Sequence, residues 1–394
     1  MRIFVTDGDN RATLAVTRSL GRLGHEVIVG ERRQPSLAGS SRYSSGRVVY
    51  PDPVIVSEAF VDALARIVVE RRIDVLIPMA DITTFLVSGS RDRFEPACAV
   101  PIPPDDTIAR AANKVATVEL ARSLGVPVPE GVVVWRPDEI PGDHPAFPLV
   151  VKPWQSRVRT AAGWRSTGVS YAADWEALER DLRSRPSHEF PVLLQERLVG
   201  PGVGVFACYH QGQAVALFSH RRLRERPPWG GVSVLSESVA LCPEASQYAT
   251  RLLDALEWHG VAMVEFKRDE RDGVPKLMEI NGRFWGTLQL AISCGVDFPT
   301  LYLGFLEGKM PAKVIRDYQD GHKMKWFFGT LDHLLIRLRN NDGALNLPPG
   351  SPSKFRALMD FMKIWEKDTS FDVFDKNDIG PFLFETRNYL RNNG

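Results

Sequence analysis

Glu265, Glu279 and Asn281 are the residues of this sequence best spaced to do chemistry together. The stretch "VEFKRDERDGVPKLMEINGRFWG", residues 264–286, reads as two short strands around the turn signal Asp272-Gly273. Glu265 and Glu279 lie equally far from Asp272, so a hairpin about that point sets the two carboxylates opposite, or within one residue of opposite. Like charges directly across a ladder repel, and a solvated hairpin would place lysine or arginine opposite each acid instead. Alternation puts Met263, Glu265 and Lys267 on one face of the first strand, and Leu277, Glu279 and Asn281 on one face of the second. Two carboxylates and a carboxamide on one cleft wall are hard oxygen donors. They suit magnesium, or manganese in its place, when phosphate oxygens and waters complete the octahedron. The metal would also remove the repulsion.

Cations surround this set in the sequence. Arg283, two residues beyond Asn281, points to the same face and can hold a carboxylate or a γ-phosphate in bidentate fashion. Lys152 ends the apolar strand "LVVKP", where a compact charge facing a cleft neutralises phosphate; Lys114, on a helix, is a weaker candidate for the same task. Arg221, Arg222 and Arg224 in "HRRLRERPPWGG" follow the apolar run "AVALF" and read either as an anion site or as a solvated face. Between them "WQSRVRTAAGWRSTGVSY" is a hairpin loop, or a flap whose N–H groups and arginines close on phosphates. A Walker A loop is absent. The first βα turn, "DGDNRATLA", carries one glycine where a dinucleotide fingerprint needs three, so nicotinamide binding is disfavoured and the unit reads as one wall of a substrate cleft.

The elements that must position these groups are legible in outline. "RIFVTD", a helix over Arg11 to Leu23 with Leu14, Leu20 and Leu23 on one face, "EVIVG", a second amphipathic helix and "DVLIP" alternate as βαβ, which predicts a doubly wound parallel sheet over 1–104. A helix-rich piece with the strand "FPLVVKP" follows over 105–190, then a strand-rich piece over 191–310, then helices rich in aromatics over 311–394. The fold class expected is therefore α/β and α+β. The C-terminal helices "WFFGTLDHLLIRL" and "FRALMDFMKIWEK" are amphipathic and are expected to pack on the preceding domain or on a second subunit of a homodimer, with an interfacial membrane helix as the alternative.

Bulk composition narrows the function. With 394 residues, 44% hydrophobic and 25% charged, the chain is a multidomain globular protein. A formal charge of +1 gives no global field for nucleic acid. Four cysteines without a CxxC pair fit reduced thiols in the cytoplasm rather than disulfides or zinc. The start "MRIFVTDGDN" is not a signal peptide, and no stretch approaches the ~18 apolar residues of a membrane span.

Taken in order, "NK" at 113–114, "VVKP" at 150–153, "LLQERLVGPGVGVF" at 193–206, "HRRLRERPPWGG" at 220–231, "VEFKRD" at 264–269 and "MEINGRFWGTLQLA" at 278–291 resemble the ATP-grasp superfamily. The branch they resemble holds the carbamoyl-phosphate synthase large subunit and carboxylate-amine ligases. The resemblance spans about 105–310, and the N-terminal unit is similar to the domain that precedes the grasp module. It implies two lobes gripping Mg-ATP, with Lys114 and Lys152 on the phosphates and Gln195, Glu196 and Leu198 in the strand beside the adenine. Glu265, Glu279 and Asn281 would hold magnesium. Arg283, then Arg221 or Arg222, would hold the carboxylate or acyl phosphate. The implied reaction is ligation of a small-molecule carboxylate to an amine, with ADP and phosphate released.

The chain departs from the family at Asn113, where aspartate is frequent, and in a flap poor in glycine; nothing beyond 310 resembles the second synthetase half. A phosphotransferase, or a nucleotide-binding protein without turnover, are the alternatives on the same scaffold.

Overall fold

The apolar runs Arg2–Val5 and Glu26–Glu31 are buried almost throughout and pair in parallel, with Ser44–Val49 outside the second and Val75–Ile77 beside the first. Strands covered on both faces read as unbroken apolar runs, which is why this sheet was visible in the sequence. Helix Arg11–Arg22 buries Leu14 and Leu20. Gly24, at φ 84, follows its end, but Leu23 lies beyond the last turn and is exposed, so it leaves the expected stripe. Chain order reverses between the first and fourth strands, where open sheets of this kind hold ligands at the strands' carboxyl ends. Asp7 sits there with φ 57. Its carboxylate accepts from Thr83 Oγ1 at 2.7 Å, and the same Thr83 oxygen accepts from Ala80 N–H at 3.1 Å. This buried network fixes the first turn of helix Asp81–Ser88.

The computed structural model describes residues 1–160, 163–341, 343, 345, 347, 351–362 and 368–393. After the first sheet the chain forms helices Asp105–Ala112 and Lys114–Ser123, broken at Asn113. Asn113 Oδ1 caps the second helix, accepting from Val115 N–H at 3.0 Å and Ala116 N–H at 3.2 Å. Aspartate would cap equally well, so this departure from the family pattern keeps the local structure. A four-stranded sheet follows in the order Gly131–Val134, Val192–Glu196, Leu149–Pro153, Ser170–Ala172. The expected division at 190/191 cuts through this sheet: Val192–Glu196 pairs with strands on both its sides there, not with the strand-rich piece that follows.

Within the segment expected to be a hairpin loop or a flap, the strands Arg157–Thr160 and Gly163–Ser166 pair as a separate hairpin. It rests on the first domain, where Trp164 N–H donates to Val54 O at 2.9 Å and its indole donates to Ser57 Oγ at 3.2 Å. Gly163, at φ 103, lies so close to Val54 O that a Cβ would stand 2.4 Å from it.

The third sheet has seven strands in the order Pro275–Asn281, Gly260–Arg268, Gly202–His210, Gln213–Arg226, Val232–Ser238, Lys323–Lys325, Thr369–Phe371. The strand from Gln213 continues through the arginine cluster to Arg226 rather than ending before it, with register shifts on either side of Arg224. The C-terminal part is not wholly helical, since its strands Lys323–Lys325 and Thr369–Phe371 extend this sheet. Helices Phe327–Arg339 and Lys354–Met362 match the amphipathic segments; residues 363–367 of the latter lie outside the described residues.

Beyond Phe371 the chain crosses onto the first domain. Arg18 Nε donates to Asp378 Oδ2 at 2.8 Å with both side chains buried, and Arg18 Nη1 donates to Asp372 O at 2.9 Å. Arg11 also pairs with Asp372 and Arg22 with Asp375. Among the described residues no helix is long and apolar enough to cross a membrane.

Candidate active site

The turn at Asp272-Gly273 closes the hairpin as the sequence predicts. Gly273 takes φ 72, its N–H donates to Asp269 O at 2.7 Å, and Val274 N–H donates to Asp272 Oδ1 at 2.8 Å. Glu265 then faces Glu279 directly across the ladder, and Met263 faces Asn281. The register slips by one residue after Glu265, because Phe266 pairs with Leu277 and leaves Met278 as the extra residue of a bulge. The bulge corrects one expectation: Leu277 does not share the face of Glu279 but joins Ile280 and Phe266 in the buried core. Glu279 and Asn281 stay together on the cleft side, with Asn281 Nδ2 donating to Glu279 Oε1 at 2.9 Å.

Cations close around this pair from three elements. Arg222 Nη2 donates to Glu265 Oε1 at 3.0 Å and Nη1 to Glu225 Oε1 at 3.3 Å. Burial works against the Glu265 charge, and Glu279 adds to that push; despite Arg222 the carboxyl is held above the ordinary range. Burial lowers the Lys152 ammonium to about 8, with Lys114 and Lys267 adding to the fall and Glu279 opposing it. Burial lowers Lys114 as well, against Glu279 and Asp81. Lys114 Nζ donates to Ser156 Oγ at the base of the flap, at 2.7 Å. The cluster is thus a set of interacting charges whose two lysines are short of water.

The other expected residues divide. Gln195 is buried in the strand beside Lys152, on the face that Lys152 shares with its register partner Leu193, and Leu198 is buried at the strand's exit. Glu196 is already satisfied: its carboxylate accepts from Lys276 Nζ at 3.2 Å, from Glu130 N–H at 3.0 Å and from Arg271. It clips the four-stranded sheet to the turn of the acidic hairpin. Arg221 points away from the acids; its Nε donates to Glu237 Oε2 at 2.7 Å on an exposed surface. Arg224 pairs with Asp360 at 2.6 Å and Arg226 with Asp332 at 3.0 Å. Of the arginine run, Arg222 therefore meets the acidic pair: alternation turns Arg221 to the other face, and the register shifts on either side of Arg224 redirect Arg224 and Arg226. His220 is buried, stacked on Phe206, and shares a 2.7 Å hydrogen bond with Thr287 Oγ1. Burial and Arg222 drive its imidazole down to about 3.

A partner not foreseen from the sequence holds Arg283. Its Nε donates to Asp81 Oδ1 at 2.6 Å, across from the first domain. Asp81, Thr84 and Phe85 of helix Asp81–Ser88 form one wall of a cavity of about 340 Å³ whose opposite wall carries Glu279, Asn281 and Arg283. Asp81 follows the apolar strand "DVLIP", and the rule that ligands gather at the carboxyl ends of parallel strands would have singled it out.

The donor set also fits a hard divalent cation in one particular way. Among the described residues no three His, Cys, Asp or Glu side chains converge to enclose an ion. Two opposed carboxylates and an amide oxygen make half a shell, the part that magnesium takes from protein when phosphates and waters supply the rest.

Residues 188–329 match a protein family described as ATP-grasp in the biosynthetic pathway with Ter operon. Among solved structures, the L-amino acid ligase from Bacillus licheniformis is similar at TM-score 0.60 and 18% identity, covering 78% of this chain and 76% of that one. The biotin carboxylase domain of Hydrogenobacter thermophilus 2-oxoglutarate carboxylase, crystallised with MgADP and bicarbonate, gives 0.62 and 14%, covering 82% and 73%. N5-carboxyaminoimidazole ribonucleotide synthetase from Thermotoga maritima gives 0.55 and 16%, covering 80% and 78%. No curated protein sequence matches the chain. At these identities the likeness is one of fold, and the fold is ATP-grasp.

Proposed function

We propose, with the ATP-grasp fold as premise, that this chain is an ATP-dependent ligase. It joins a carboxylate to an amine through an acyl phosphate and releases ADP and phosphate. The observation that carries the reading is the Glu265–Glu279 pair, opposed across one ladder and ringed by Lys114, Lys152, Arg222 and Arg283. The likeness to an L-amino acid ligase supports the reaction class, and the MgADP carried by one fold relative supports the nucleotide and the metal.

In this reading Lys114 and Lys152 neutralise phosphate oxygens as compact charges. Gln195 and Leu198 border the adenine, and Glu196 holds that strand in place through Lys276 and Arg271. Glu265, Glu279 and Asn281 would hold magnesium, which when bound screens the phosphate charge and orients the γ-phosphoryl group. Arg222 keeps Glu265 turned toward the cleft. Arg283 orients the substrate carboxylate, whose oxygen attacks the γ-phosphorus while the bond to the β–γ bridging oxygen breaks and ADP departs with that electron pair. The amine then attacks the acyl carbon, the C–O bond to phosphate breaks, and the surplus amine proton leaves with phosphate or water. The flap keeps water from the acyl phosphate.

The test is ADP release from Mg-ATP over a matrix of carboxylates with and without amines, with Glu279→Gln as control. ADP that requires both partners and is lost in the variant sustains the ligase. ADP that requires a single acceptor replaces it with a phosphotransferase. Nucleotide binding without ADP anywhere in the matrix leaves a binding protein.

A further inference from the structure

The Asp81–Arg283 ion pair is partly exposed to the cavity on both sides, at 41% and 25% of the respective side chains. An acid and a guanidinium presented side by side complement a small molecule that carries both charges close together. One helical turn on from Asp81, Thr84 lines the same cavity. Its hydroxyl is buried with no hydrogen-bond partner among the described residues, and the residue is 3% exposed. An orphaned buried hydroxyl beside an ion pair is a place where a ligand donor or acceptor belongs. The wall is also rigid, because Asp7, Thr83 and Ala80 fix the turn from which Asp81 and Thr84 project.

We propose that the carboxylate substrate is a zwitterionic α-amino acid, held between Asp81 and Arg283; this rests on the ligase reading above. Its carboxylate takes Arg283, where phosphorylation follows, and its ammonium takes Asp81, with Thr84 Oγ1 as a further partner. In the free protein the two side chains satisfy each other. The entering amino acid exchanges one ion pair for two. A carboxylate without the α-ammonium would take Arg283 while leaving Asp81 without its cation, so the same pair that welcomes an amino acid rejects its deaminated counterpart.

The experiment traps the acyl phosphate with hydroxylamine, which forms a hydroxamate whatever the natural amine is. The full chain with Mg-ATP is supplied with the common L- and D-amino acids and with deaminated analogues such as propionate and 3-phenylpropionate. Hydroxamate is expected from one or more amino acids, at a kcat/KM roughly 10- to 100-fold above the matching deaminated acid. Asp81→Asn is expected to erase most of that ratio, and Thr84→Val part of it. Equal turnover of deaminated acids overturns the inference and leaves the ligase reading standing. A ratio unchanged in folded Asp81→Asn overturns the assignment to Asp81; should that variant not fold, an unchanged ratio in Thr84→Val does the same. Silence from every carboxylate overturns the ligase reading and this inference together.

Discussion

Glu265 and Glu279 stand directly opposite one another across an antiparallel ladder, and the cation bonded to the pair, Arg222, reaches Glu265. Glu279, by contrast, accepts from the neutral Asn281 amide and lines a cavity that Lys114 and Arg283 also line.

Glu279→Gln is expected to abolish ADP formation by a factor on the order of 100 or more. The same change removes a like-charge contact, so the ligand-free protein gains about 0.5 kcal/mol or is unchanged. Thermal unfolding with and without Mg-ADP checks both parts. Wild type rises with Mg-ADP while the variant rises far less; a variant that is destabilised without ligand would show the pair to be structural.

Arg222 and Arg221 are neighbours with opposite expectations. Arg222→Met leaves Glu265 without its cation and should destabilise the protein on the order of 1 kcal/mol, with loss of turnover. Arg221→Met breaks an exposed pair with Glu237 and should stay within about 0.5 kcal/mol, with turnover kept. Urea unfolding and the ADP assay on both variants decide between a role for the whole arginine run and a role for Arg222 alone.

The acidic pair could be read from the sequence because a hairpin is local: the turn at Asp272-Gly273 and period-two alternation suffice to bring Glu265 and Glu279 together. The face of Leu277 could not be read, since a one-residue bulge at Met278 leaves no mark in composition. Arg283 was legible as a cation on that face, but its partner Asp81 comes from another domain and long-range pairing carries no local signal. Glu196 shows a similar limit. Its position beside the cleft was implied by the family resemblance, whereas its engagement by Lys276 and Arg271 depends on how two sheets meet. The stretch "DTSFDVFDKND" lies in the part expected to be helical, yet it supplies a sheet strand and two buried carboxylates that pair with arginines of the first helix.

Stability should fall in mild acid through His220. Its ring is held near a pKa of about 3 in the folded chain, against ~6.5 when unfolded, so the unfolded state binds the extra proton between those values. This group's contribution is therefore full above pH 6.5 and shrinks as pH falls, by about 2 kcal/mol on reaching pH 5. Urea titrations at pH 7.5 and 5 should show that difference in wild type and a smaller one in His220→Gln. Equal slopes in the two proteins would remove His220 from the account.

Breaking the buried Arg18–Asp378 pair from one side should cost about 3–5 kcal/mol, because the remaining charge has no water to turn to. Asp378→Asn and Arg18→Met are each expected to lower the urea midpoint sharply. The two changes combined should cost less than their sum, which a double-mutant cycle measures.

The crossing of residues 372–378 onto the first helix has a mechanical consequence. Thr369–Phe371 belongs to the seven-stranded sheet while Asp372 and Asp378 are anchored in the first domain, so those two bodies form a single fixed jaw. The four-stranded sheet is joined to that jaw by the Glu196–Lys276 clip. Its free tip is the flap, latched by Trp164 to Val54 and Ser57. Under the proposed function, any opening of the flap to a nucleotide would break the Trp164 contacts to Val54 and Ser57 and need not disturb the acidic hairpin, Arg283 or Asp81. The amino acid would meet the same two walls whether the gate stands open or shut.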